Sequence, residues 1–215
     1  DYDNDGDVDI YVGNDLTPNF LYQNEGDGTF TDVALLAGVA YNEDGKMESS
    51  MGVDFGDYDG DGFLDLLVPN FQGEACTLYH NLGNGFFNNE SVISGIGLPT
   101  RPFVGWGGGF LDYDHDGDLD IAIGNGGVFE NTSKEGIWTE VVLRGSSDTV
   151  NKFAFGSQVS VHVGDMHYLR QVEGGSGSES CQNSMTQHFG LGGAERIDSL
   201  VVNWMGGDTD RYFDL

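Results

Sequence analysis

A nine-residue acidic segment recurs three times in one frame: DYDNDGDVD at Asp1–Asp9, DYDGDGFLD at Asp57–Asp65 and DYDHDGDLD at Asp112–Asp120. The copies start 56 and 55 residues apart. A repeat of that length is one supersecondary unit, of the size of a propeller blade. Each copy runs into a short apolar stretch ending in asparagine: VDIYVGN at Val8–Asn14, LDLLVPN at Leu64–Asn70 and LDIAIGN at Leu119–Asn125. FLYQNEGDGTF (Phe20–Phe30) and TLYHNLGNGFF (Thr77–Phe87) read as a strand, a Gly/Asn/Asp turn and a return strand. SSMGVDFG (Ser49–Gly56) and GWGGGFL (Gly105–Leu111) precede the second and third acidic copies and read as inner strands whose glycines permit close packing. One unit is therefore strand, acidic loop, strand, strand, turn, strand, the blade of a β-propeller. VALLAGVA (Val33–Ala40) is the nearest thing to a helix, but its length and Gly38 predict a turn or short connection.

The loops have the form D-x-D-x-D-G-x-x-D. Hard dications such as calcium take six to eight oxygen ligands. Carboxylates at positions 1, 3 and 5 converge only if the chain turns sharply, and the glycine at position 6 (Gly6, Gly62, Gly117) supplies that turn. Position 7 (Asp7, Phe63, Asp118) can offer a backbone carbonyl, and position 9 (Asp9, Asp65, Asp120) closes the cage. Without an ion the carboxylates repel. One pair at ~4 Å costs about 1 kcal/mol in water and about 4 kcal/mol at an effective dielectric of 20. Metal binding thus becomes part of folding. An EF-hand begins the same way but needs a glutamate at position 12 and flanking helices. Here position 12 is Val12, Val68 or Ile123, and the flanks are strands.

Charge agrees with a cation-binding role. The 215 residues carry a net charge of −28. Residues 1–138 hold 26 acidic and 3 basic side chains, and residues 139–215 hold 10 and 5. Such a surface repels nucleic acid and anionic membranes. The longest apolar run, ALLAGVAY (Ala34–Tyr41), is too short to span a bilayer. Two cysteines, Cys76 and Cys181, are too far apart in sequence for spacing to say whether they pair.

GVDFGDYDGDGFLDLLVPN (Gly52–Asn70) followed by LYHNLGNGFF (Leu78–Phe87) resembles the FG-GAP or VCBS repeats of integrin-α-type β-propellers. The resemblance covers residues 1 to about 136. In that family the loop aspartates bind calcium and the ring usually has seven blades. Carried over, it implies ligands Asp1, Asp3, Asp5, Asp9; Asp57, Asp59, Asp61, Asp65; and Asp112, Asp114, Asp116, Asp120, in three calcium sites. NKFAFGSQVSVHVG (Asn151–Gly164), VEGGSGSESCQ (Val172–Gln182) and HFGLGGAERIDSLVVNWMGG (His188–Gly207) resemble the ASPIC/UnbV module, which follows such propellers in secreted proteins. Met205 and Ser157 depart from it, where proline and alanine are usual.

The expectation is an all-β chain in two parts. Residues 1–136 form the C-terminal blades of a propeller with three calcium loops, and residues 137–215 form a small β-sandwich-like domain packed on its end. Three units cannot close a ring, and the first lacks its inner strand, so the remaining blades are expected N-terminally or from another chain. The expected function is a non-enzymatic, extracellular, calcium-stabilised module for adhesion, binding or structure. Its partners would be an extracellular protein, a glycan or copies of itself, with neither nucleic acid nor membrane insertion. The alternatives are a calcium-dependent polysaccharide lyase and a subunit of an extracellular fibre or other assembly. A lyase needs a base and cationic groups facing an acidic sugar, and residues 1–136 offer only Lys46, Arg101 and Lys134. His162, His167 and His188 have no diagnostic metal spacing, and His115 occupies a non-ligand loop position. Trp106, Trp138 and Trp204 read as core or interdomain packing. Asn89 and Asn131 begin N-glycosylation sequons.

Overall fold

A computed structural model describes residues 1–133, 136–146, 150–175 and 182–215. Three antiparallel sheets follow the three repeats. The first is β1 (Ile10–Val12), β2 (Phe20–Asn24) and β3 (Phe30–Asp32), in that order. The second is complete, with β4 (Asp54–Gly56), β5 (Asp65–Val68), β6 (Thr77–Asn81) and β7 (Phe87–Asn89) as successive neighbours. The third has β8 (Gly108–Leu111), β9 (Asp120–Ile123) and β10 (Gly127–Phe129). The expected inner strands, acidic loops and Gly-turn hairpins are therefore present. One difference stands out: among the described residues the third sheet has no outer fourth strand. The next strand, β11 (Ile137–Val142), instead pairs with β14 (Thr186–Gly192) far along the chain.

Period-2 alternation explains how the sheets stack. All four residues of β5 are buried, which happens only when both faces of a sheet are covered. Leu66, Val68 and Tyr79 pack against Tyr2, Leu21 and Val39 on the side of the first sheet. Leu67 and Leu78 pack against Ile96, Ile121 and Ile123 on the side of the third. Successive blades of a propeller face one another in this way, although the described residues form no closed ring. Glycine allows the close approach. A Cβ on Gly56 would lie 2.5 Å from the Phe110 ring of the next sheet.

Between the second and third sheets, the buried Asp54 carboxylate accepts hydrogen bonds from Phe110 N–H (2.8 Å) and Asn183 Nδ2 (3.1 Å). Burial nonetheless pushes its pKa up to about 6. The folded chain then binds this proton more tightly than the unfolded chain does. Asp54 therefore detracts from stability increasingly as pH rises from about 3.8 to about 6, and fully above that. Two pKa units correspond to about 3 kcal/mol. We expect Asp54→Asn, which keeps an acceptor for Phe110, to stabilise the chain at pH 8 by about 1–2 kcal/mol and by nothing at pH 4. Urea unfolding of both proteins at the two pH values measures this, and an equal effect at both would refute the assignment.

Two single helical turns interrupt the β architecture: α1 (Ala34–Ala37), closed by Gly38 at φ +87°, and α2 (Gly97–Thr100). The sequence predicted a turn or connection for the first and nothing for the second. Neither helix is long and apolar enough to cross a membrane.

The C-terminal part contains β12 (Gln158–Val163), β13 (Met166–Gln171), β15 (Ser199–Asn203) and β16 (Thr209–Phe213), in the spatial order β13-β12-β15-β16. The β12–β13 hairpin turns at Gly164–Asp165, as its alternation predicted. This sheet and the β11–β14 pair share one core, with Val159, Val161 and Leu200 from one layer and Phe189 and Leu191 from the other. That is the two-layer arrangement of a small sandwich. Trp204 packs against the same core. Cys76 is buried, while Cys181 lies outside the described residues, and its pairing with it.

Candidate metal centres

The second and third acidic loops join β4 to β5 and β8 to β9, the first leads into β1, and all three share one backbone design. Their position-6 glycines, Gly6, Gly62 and Gly117, have φ of +100°, +94° and +101°. Position 4 is also left-handed in every copy, at Asn4 (+59°), Gly60 (+73°) and His115 (+62°), a second turn the sequence reading did not isolate. Asparagine, glycine and histidine are among the residues that tolerate this conformation, and their presence at position 4 was the available signal.

The glycine turn folds the loop back on its first residue. Asp1, Asp57 and Asp112 each accept a hydrogen bond from the position-6 N–H, at 3.0, 3.1 and 3.2 Å. The carboxylates then crowd together. Asp1, Asp3 and Asp5 place one oxygen each within 4.8 Å of one another; so do Asp57, Asp59 and Asp61, and so do Asp112, Asp114 and Asp120. Asp9 falls outside the first group, Asp65 groups instead with Asp59 and His80, and Asp116 falls outside the third. At position 7 the Asp7 carboxylate and the Phe63 ring lie against Gly26 and Gly83 in their own hairpin turns. Phe63 has only its backbone carbonyl to offer a cation. Asp118 holds the same position in the third loop.

Position 9 has a structural duty the sequence reading did not see. One oxygen of Asp9, Asp65 and Asp120 accepts the position-2 N–H, from Tyr2, Tyr58 and Tyr113 (2.9, 3.1 and 2.9 Å). The other accepts the N–H of Asn24, Asn81 and Asn131 (2.8, 2.7 and 2.8 Å). The carboxylate thus staples its loop to the blade. The asparagine side chains continue the staple. Asn81 Nδ2 donates to Tyr2 O of the preceding sheet (2.7 Å), and Asn131 Nδ2 to Tyr58 O (2.8 Å). Asn131, a sequon residue, therefore spends its amide between sheets. The recurrent asparagine in LYQN, LYHN and VFEN was the sequence signal.

The C-terminal domain reaches the same loops. Arg170 on β13 donates to Asp57 Oδ2 at 3.0 Å, and His188 on β14 lies 3.1 Å from Asp112 Oδ2. Trp138 stacks between His115 and His188, with ring centres 5.5 and 5.8 Å away, so it serves as interdomain packing. His162 and His167 stack on each other across the β12–β13 hairpin at 4.5 Å, and with His188 on Asp112 the three histidines do not converge. Trp106 is partly exposed against Phe71.

The electrostatics of the loops favour a cation. Partial desolvation, then neighbouring carboxylates, raises Asp3 and the exposed Asp114 from the ordinary carboxylate value, and burial raises Asp61. Burial pushes Asp65 up to about 7, and the hydrogen bond His80 donates to Asp65 pushes His80 up to about 9. Asp1 Oδ1 is buried with no hydrogen-bond partner among the described residues. An orphaned buried carboxylate oxygen aimed among like charges fits a bound cation. The donor set is almost wholly oxygen, as a hard dication requires.

Comparison with known proteins agrees with this architecture. The FG-GAP-like repeat family matches residues 1–68, and the ASPIC and UnbV family matches residues 147–215. Cartilage acidic protein 1 of Xenopus tropicalis is 28% identical over 267 aligned positions, covering 93% of this chain and 40% of the relative. The Homo sapiens protein of the same name is 27% identical over 266 positions, covering 93% and 39%. The chain thus spans about two fifths of the length of these relatives. It carries an FG-GAP-like repeat region followed by an ASPIC and UnbV domain, and is a distant homologue of cartilage acidic protein 1.

Proposed function

We propose that the chain is part of an extracellular, calcium-stabilised β-propeller protein that presents a binding surface and carries out no chemistry. The observation that carries this reading is the frame shared by three adjacent loops, each converging carboxylates at one end of its sheet around a left-handed glycine. Calcium accepts irregular sets of six to eight oxygens, and extracellular calcium is near ~10⁻³ M, a level suited to loops of moderate affinity. A bound ion would fix each loop and so the relation between neighbouring blades. The partner would be an extracellular protein, a glycan or a second copy of the chain, met by a surface with a net charge of −28. Native mass spectrometry in calcium acetate should show three calcium ions per chain, and Asp114→Ala should remove one. A chain that carries none, or a product absorbing in the ultraviolet after incubation with pectin or alginate, would sink the proposal.

A further inference from the structure

Resting on the reading that these loops bind dications, we infer that the second loop is chemically distinct: Asp59, Asp65 and His80 form a mixed nitrogen–oxygen site for a borderline first-row dication such as zinc, manganese or cobalt. The three blades provide their own comparison. The residue before the stapling asparagine is Gln23, His80 or Glu130. In the first blade Gln23 Nε2 donates to the position-3 carboxylate, Asp3 Oδ2, at 2.8 Å. In the third, the charge of Glu130 helps to raise Asp114, the position-3 residue there. This side chain therefore meets the position-3 carboxylate in the first two cages, as an amide and an imidazole, and in the third it is a carboxylate that accepts from the Tyr113 hydroxyl at 3.4 Å. Among the described residues, only His80 groups an imidazole with two carboxylates of a loop; His188 Nε2 lies against Asp112 Oδ2 of the third loop without forming such a group. His80 Nδ1 points between two carboxylates, 3.2 Å from Asp65 Oδ1 and 3.5 Å from Asp59 Oδ2.

A second feature shifts the second loop away from calcium. Both oxygens of Asp57 are engaged, Oδ1 by Asp61 N–H and Oδ2 by Gly62 N–H and the Arg170 guanidinium. Arginine keeps its charge at any working pH, so this loop already holds one buried positive charge. Asp1, at the equivalent position of the first loop, has a bare buried oxygen instead. Imidazole ligands favour zinc, cobalt and nickel, whereas calcium selects oxygen. The Arg170 charge weakens the pull of Asp57 on a further cation, while Asp59, Asp65 and His80 bring two carboxylates and an imidazole within 4.8 Å of one another. The Asp59 side chain is 32% exposed, which leaves water a route to the remaining coordination positions.

Cobalt(II) titration of the whole chain in millimolar calcium tests the assignment, read by visible absorption and by native mass spectrometry. One cobalt ion should bind per chain and resist displacement by calcium. His80→Gln places in the second blade the residue the first already uses, so folding and three bound calcium ions should be retained. Its cobalt affinity should fall by ~100-fold or more, beyond the ~10–100-fold expected for loss of an outer-sphere partner alone. Equal cobalt binding by the two proteins, or ready displacement by calcium, would overturn the inference while leaving calcium loops intact. Cobalt binding that depends on His80 in a chain that takes no calcium would support the inference and overturn the calcium reading.

Discussion

Chelation with EDTA is expected to lower the thermal midpoint of this chain by about 20 °C, reversibly on restoring calcium. The size follows from linkage. A loop saturated at ~100 times its dissociation constant contributes about 2.7 kcal/mol, and three loops about 8 kcal/mol. In a chain of this length each kcal/mol moves the midpoint by about 2–4 °C. The sign follows from the cages themselves. Asp1, Asp3 and Asp5 hold oxygens within 4.8 Å of one another, as do the corresponding groups in the other loops, so ions removed leave repulsion behind. The cages also sit at the junctions. Tyr2 and Tyr58, inside the first two loops, accept the amides that join one sheet to the next through their carbonyls. Arg170 and His188 bring the C-terminal domain onto the second and third. Emptied loops should therefore loosen sheet stacking and domain docking together. Magnesium, which demands a stricter octahedron, should restore less of the loss than calcium. A transition unmoved by EDTA would mean that the acidic turns are solvated ornaments.

The blades could be read in advance because their information is local. A nine-residue motif with an obligatory turn fixes where a loop lies, and an alternating apolar run beside it fixes which residues face the neighbouring sheets. Leu66 and Leu67 face opposite ways for that reason. The β12–β13 hairpin, with Gly164–Asp165 at its tip, was legible on the same grounds. Partners separated in sequence were not. β11 looks like any half-buried strand, and nothing local directs it to β14 rather than to the third sheet. Arg170 and His188 act on aspartates 113 and 76 residues away, and strand alternation shows only which face they occupy. His80 and Asn81 were hidden differently. A histidine and an asparagine at the end of a strand read as the approach to a turn, and Asn81 does accept from Gly83 N–H there. Its other bonds become visible only when two sheets are stacked.

Asn81→Ala is expected to destabilise the chain by about 3–5 kcal/mol, lowering the midpoint by about 10–15 °C, with calcium present throughout. Asn81 is fully buried, and its amide donates to Tyr2 O at 2.7 Å and to Leu64 O at 3.0 Å. Alanine leaves both carbonyls without that donor, Tyr2 O buried and Leu64 O half-buried, and each such loss costs about 1–3 kcal/mol. Asn81→Asp should be no milder despite its shape. It retains an acceptor for Gly83 but turns a carboxylate oxygen towards two carbonyl oxygens, and adds a charge beside Asp65. Asn24 is the internal control. It occupies the same place in the first blade, where its amide donates to Val8 O at 3.2 Å in an exposed setting. Water can replace that bond, so Asn24→Ala should cost only about 1 kcal/mol. Equal costs at the two positions would show that the asparagine serves its own hairpin alone. The predicted difference, measured by urea unfolding, isolates what the amide contributes by crossing from one sheet to the next.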